Sequence, residues 1–165
     1  MSNLPVIAGS GQDTSHGVIQ LVSFELEKEE YGVDVLAVRE IIRLPSVTKM
    51  PNTPPYVEGI INLRGTVVPI ISLRRRFGLS DAEADRRSRI LVMEANGTQT
   101  GFVVDAVAEV IRISASEIQP PPAVTHGNAA QECITGVVNH AERLLIVLDL
   151  NLMFDESDRG TLGLL

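Results

Sequence analysis

The hydrophobic and polar positions of the chain follow a two-residue period far more often than a helical one. Val22, Phe24 and Leu26 alternate with Ser23, Glu25 and Glu27, which predicts a strand with one wet face. Lys28, Glu29 and Glu30 supply a turn, and Tyr31, Val33 and Val35 continue the alternation on a second strand. Across residues 35–43 the spacing of Val35, Val38, Ile41 and Ile42 becomes helix-like, so a short helix or an irregular turn is expected there. Leu44-Pro45 ends that segment, and residues 47–50 form a brief extended piece.

The most tightly specified stretch is 51–77. Ile60, Ile61 and Leu63 lead into Arg64-Gly65, and Thr66, Val67, Val68, Ile70 and Ile71 lead away, a hairpin whose glycine takes positive φ. Pro69 cannot donate to a sheet ladder, which predicts an edge, a bulge or a bend rather than a central strand. Pro51, Pro54 and Pro55 keep the approach out of continuous helix, with one helical turn expected over 55–58. Residues 72–79 read as one short helix carrying Arg74, Arg75 and Arg76 and stopped near Gly78. The charged segment 80–88 reads as a linker and is taken as a boundary between two subdomains.

The second half repeats the style. A strand over 90–93, the hairpin signal Asn96-Gly97 and a return strand from 101–104 through Val107, Val110 and Ile111 come first. A helical turn over 114–118, an extended Pro120-Pro121-Pro122, an Ala/Gly/Asn-rich loop over 125–132, strands over 134–138 and 144–148, and a terminal turn over 149–154 complete the chain. Eight or more short strands with frequent turns predict a mainly β fold, a barrel or a pair of barrels, and a Rossmann-type parallel sheet would need longer helices. Residues 1–17 and 155–165 read as flexible tails around one ordered domain, 18–154.

Composition sharpens this picture. The chain has 165 residues, 44% hydrophobic but only 4% aromatic and without Trp, so Val, Ile and Leu must fill the core. A formal charge of −7 removes the electrostatic footprint of nucleic-acid binding. Cys133 is the single cysteine and His16, His126 and His140 are scattered, which leaves no disulfide framework and no metal or cofactor site of familiar spacing; Cys133 is expected as a small buried hydrophobe. No run of 18 apolar residues and no signal-like start occur, so membrane insertion is not expected and a soluble, cytoplasmic protein is.

Candidate chemistry is sparse. Asp105 and Glu109 form a conceivable carboxylate pair, but they fall on a strand-like segment where solvated side chains are expected, and none of the nucleotide-binding, hydrolase or metalloprotease motifs occurs. A non-enzymatic protein follows. Arg74, Arg75 and Arg76 are expected on a solvated face, with docking to an acidic partner as the alternative. A guanidinium at the tip of an apolar hairpin is costly to bury without a carboxylate, so Arg64 is expected to pair with Glu40, drawn towards the core by Ile41-Ile42; a simple exposed turn arginine is the alternative.

The motifs F-E-L from Phe24, Y-G-V-D-V from Tyr31, V-R-E-I from Val38, P-N-T-P-P-Y-V-E-G-I-I-N-L-R-G from Pro51, V-V-P-I-I-S-L from Val67, G-F-V-V-D-A-V from Gly101 and L-D-L from Leu148 resemble the CheW-like family of chemotaxis coupling proteins over almost the whole ordered chain. The resemblance implies two intertwined five-stranded SH3-like barrels with a few short helices and an apolar core between them. It implies a cytoplasmic adaptor, recruited to membrane chemoreceptor arrays, that joins the receptors' cytoplasmic tips to the regulatory domain of the histidine kinase CheA. It implies a receptor-binding groove to which Val22, Val35, Val38, Ile41 and Val107 contribute, with ordinary core packing as the competing reading of each. It also implies a structural ion pair of Glu40 with Arg64 beside the Gly65 turn, and kinase contact through the exposed barrel ends, to which no residues are assigned. Two further readings stand beside it: a stand-alone CheW-like regulator competing for receptor or kinase in another chemosensory pathway, and a small hydrolase using Asp105 and Glu109.

Overall fold

In the computed structural model, which describes residues 17–95, 97–122 and 133–153, the short β-branched runs pair as ten strands. These are β1 (Val18–Leu26), β2 (Glu29–Asp34), β3 (Val38–Arg43), β4 (Val57–Leu63), β5 (Thr66–Ser72), β6 (Arg89–Ala95), β7 (Thr98–Val104), β8 (Ala106–Ser114), β9 (Ile134–His140) and β10 (Arg143–Leu148). A single α-helical turn, α1 (Leu73–Arg76), and 3₁₀ turns at Val35–Ala37, Ala115–Glu117 and Leu150–Met153 link them.

The strands form two five-stranded sheets, ordered β8-β1-β2-β10-β9 and β3-β6-β7-β5-β4. In each, a central antiparallel hairpin is joined through a parallel pairing, β2 with β10 or β7 with β5, to a second hairpin. Flat sheets of this width would hold their edge strands ~19 Å apart. Instead Ile111 of β8 and Val138 of β9 share one buried cluster, as do Ile42 of β3 and Ile61 of β4 in the other sheet. Each sheet therefore curls around its own apolar interior, which accords with the expected SH3-like barrels.

A third cluster joins the barrels. It takes Val22, Phe24 and Val33 from one sheet and Leu91, Met93 and Phe102 from the other. This is why β1 has no wet face in its middle: Leu21 points into the first barrel's interior and Val22 and Phe24 into the seam, so Ser23, expected outside, is buried and bonds the Glu109 backbone through its hydroxyl.

Several expectations need correction. Segment 80–88 does not separate subdomains, because strands on both sides of it belong to one sheet; the chain changes sheet at residues 34–38 and at Asp105, which splits the expected return strand into β7 and β8. Residues 35–43 are a 3₁₀ turn, N-capped by Asp34, whose carboxylate accepts the Leu36 N–H at 2.9 Å, followed by a strand. Pro69 lies in β5, which is internal to its sheet, and it is tolerated because pairing with β7 begins only at Ile70. The helix expected over 72–79 has only the four residues of α1, capped by the Ser72 hydroxyl and terminated by Gly78 at φ +76°, as its glycine suggests. Most of both expected tails and the loop 125–132 lie outside the described residues.

The open edge of β4 is covered by residue 48: Thr48 and Ile60 exchange two backbone hydrogen bonds of 2.9 and 2.8 Å. That approach requires Gly59, at φ +148°, since a Cβ there would stand 2.1 Å from the Thr48 carbonyl oxygen. Gly59→Ala is expected to cost roughly 2–4 kcal/mol, lowering Tm by about 4–16 °C in calorimetry; a Tm equal to wild type would mean that the residue 48 bridge is dispensable.

Candidate functional site

Val38 and Val107, which pack on the seam cluster, lie on two edge strands, β3 and β8, and each strand carries a bulge. In β3, Val38 pairs with Met93 and Glu40 with Val92, leaving Arg39 as the extra residue. Val38 and Ile41, three apart, therefore share the face of Met93 and Leu91, which a regular strand would forbid. In β8, Val110 pairs with Val22 and Val107 with Phe24, leaving Ala108 extra, so Val107 and Val110 also share the seam face. The helix-like spacing in the sequence is the signature of a bulge.

Of the expected groove residues, Val35, Val38 and Val107 are half-buried against the seam cluster, whereas Ile41 stands 41% exposed and is not packed on it. Val22 is buried beneath them and supplies floor rather than contact surface. Val110 is exposed on the same face as Val107; its only signal in the sequence is an apolar residue next to Glu109 and Ile111 that the bulge, and not the alternation, turns outward.

The Glu40–Arg64 pair forms in bidentate fashion, Arg64 Nη2 to Oε1 and Nη1 to Oε2, the latter at 3.3 Å. It is a surface pair, not the buried one expected, with the Arg64 side chain 70% exposed. Arg64 (φ +51°) and Gly65 (φ +88°) form the two-residue turn between β4 and β5, the geometry of a type I′ hairpin, and the Asn62 side chain accepts the Gly65 N–H at 2.7 Å. Hydrogen bonding to Arg64 holds the Glu40 carboxyl below its ordinary range.

The arginine run is not a solvated face. Arg74 donates twice to Asp105, at 2.9 and 2.7 Å, and once to the Ser80 carbonyl; Arg75 reaches Asp81 and the Pro55 carbonyl; the Arg76 guanidinium lies 4.5 Å from the centre of the Tyr56 ring. Asp105 also accepts the Glu27 N–H at 2.8 Å and gives its own N–H to the Glu25 carbonyl, so one carboxylate ties the second sheet's helix to the first sheet's hairpin turn. Burial alone would raise its pKa, but the Arg74 hydrogen bonds, the Glu27 N–H and the charges of Arg74 and Arg87 together hold it below the ordinary value. A carboxylate so engaged is no general acid or base. Glu109 lies nearer Arg143, at 3.8 Å. Burial pushes the Cys133 thiol up to about 12, which keeps it protonated and inert.

Residues 20–158 match the family model of the CheW-like domain. The chain belongs to the CheW-like domain family. The chemotaxis protein CheW of Treponema pallidum is 38% identical over 143 residues, covering 84% of each chain, and that of Helicobacter pylori is 37% identical over 141 residues, covering 86% of this chain and 84% of the relative. Among solved structures, that of the scaffolding protein TtCheW from Thermoanaerobacter tengcongensis superposes with a TM-score of 0.78 at 38% identity, covering 86% of this chain and 91% of the other.

Two ion pairs of similar appearance should behave differently. Arg64→Ala is expected to leave Tm close to wild type, because both charges remain hydrated. Arg74→Ala strips a partly buried carboxylate of two donors and is expected to cost about 1–3 kcal/mol, read as a Tm loss. Since the Asp105 pKa is depressed on folding, its contribution is full above the unfolded carboxyl value of about 4 and is lost as pH falls further. Acid denaturation of Asp105→Asn should accordingly be shallower below about pH 4, and an unchanged acid limb would sink this account.

Proposed function

We propose that the chain is a non-catalytic chemotaxis adaptor that couples the cytoplasmic tips of chemoreceptors to the regulatory domain of the histidine kinase CheA. The observation that carries this reading is the likeness along most of the chain to chemotaxis CheW proteins and to a solved scaffolding protein of that name. The seam supplies a physical route. An amphipathic helix presents its apolar side chains as a stripe, and the surface we assign to it is Val35, Val38 and Val107, packed on the seam cluster that contains Val22, with Ile41 and Val110 exposed on the same strand faces. The kinase domain meets the exposed ends of the barrels, away from this surface. The protein acts in the cytoplasm and is recruited to membrane receptor arrays, where repeated weak contacts add up through multivalency.

Titration of the protein with a receptor-tip fragment and, separately, with the CheA regulatory domain tests the proposal. Both are expected to bind. Val38→Asp and the more exposed Ile41→Asp are expected to weaken the receptor fragment by about tenfold or more while leaving the kinase domain unaffected. If neither partner binds, the adaptor reading gives way to a stand-alone regulator. If both partners bind and both variants hold the receptor as wild type does, this surface is not its site.

A further inference from the structure

The 3₁₀ turn Val35–Ala37 has two sides, and the seam uses only one. Val35 and Val38 pack on the central cluster, while Leu36 is held outward at 89% exposure, the most exposed large hydrophobic residue among those described. It is presented rigidly, because the Asp34 carboxylate caps its own N–H. Beside Leu36 lies a cleft of about 500 Å³ between the first barrel and the seam, with Val33, Met93, Phe102, Ile118, Leu148 and Leu150 among its lining residues. An almost fully solvated leucine beside an apolar cleft marks a candidate contact surface.

Three carboxylates line the same cleft: Asp34, Glu94 and Asp149. Glu94 shares its charge with Arg39, but among the described residues neither Asp34 nor Asp149 is in an ion pair. This charge argues against a second copy of the chain, which would bring like carboxylates together, and it favours a cationic visitor.

We propose that this cleft docks a partner segment carrying a large apolar side chain flanked by lysine or arginine. The apolar side chain enters beside Leu36, and the cations meet Asp34 and Asp149. None of the side chains assigned to the receptor lines this cleft, so two partners can meet the same turn through different residues.

The probe is a fluorescently labelled helical peptide with two leucines flanked by lysines, titrated into the full chain by anisotropy beside the same peptide with every lysine replaced by glutamate. The lysine form is expected to bind, less tightly as salt rises, and the glutamate form not to bind. Leu36→Ala is expected to weaken the lysine peptide about tenfold. Asp34→Asn with Asp149→Asn, which keeps a side-chain oxygen at each turn, is expected to remove most of the salt dependence. Receptor-fragment binding should be unchanged in all these variants, which separates this proposal from the reading of the receptor surface. Equal binding of both peptides, binding of neither, or wild-type affinity in Leu36→Ala would overturn it. A chain ending at residue 153 that binds the peptide much more tightly would assign the cleft to the chain's own C-terminal segment, and Leu36-dependent dimers in sedimentation would assign it to a second copy; either result overturns the partner proposal.

Discussion

The parallel pairing of β2 with β10 is the interaction on which the rest of the molecule depends. It sets Glu30, Tyr31, Gly32 and Val33 beside Leu145, Ile146, Val147 and Leu148, and so joins the first hairpin of the chain to its last. Without it the first barrel has no interior, Val22 and Phe24 lose the frame that aims them at the second sheet, and the seam has one wall. Gly32 is placed for this contact, since a Cβ there would lie 3.1 Å from Leu145 and 3.4 Å from Leu21. The hydrogen-bonded connection is short, but the first barrel's interior and the seam both rest on it.

The two barrels are the same object with the chain cut at different points. Reading β8, β9, β10, β1, β2 gives the spatial plan of β3, β4, β5, β6, β7. The correspondence extends to detail. Arg64-Gly65 and Ala141-Glu142 are both two-residue turns at positive φ, and the exposed Val67 and Leu144 sit opposite Asn62 and Asn139. Bridges from residues 48 and 119 cover the edges at Ile60 and Val137, each beside a glycine with no room for a side chain. The edge strands β3 and β8 match as well, and each carries a bulge.

Much of this was legible in the sequence because it is local. Alternation, Asn-Gly and Arg-Gly turns and the capping residues mark strands and turns within a few positions of themselves, and the N-L-R-G block ties the chain to its family. What escaped notice is what only the tertiary structure decides. Nothing near Ser23 announces that both faces of its strand are buried, since the second face is covered by residues more than eighty positions away. The three arginines of α1 look solvated until Asp105 and Tyr56 arrive from elsewhere. The pairing of Glu40 with Arg64 follows from the charges at the hairpin, but its exposure does not, because the depth of a hairpin tip is not set by its apolar neighbours. Val38 and Ile41 looked helical because one inserted residue in a strand imitates that spacing over so short a span.

The cut between β10 and β1 also sets an order of events during synthesis. The second barrel is contiguous from Val38 to Val104 and has all its strands once α1, β6 and β7 have emerged, whereas the hairpin of β1 and β2 must wait for β8, β9 and β10, which follow the whole of the second barrel. Until then Leu21, Val22 and Phe24 have only half a fold to bury themselves in. Neither the seam nor the first barrel therefore has its full set of strands until β10 has been made.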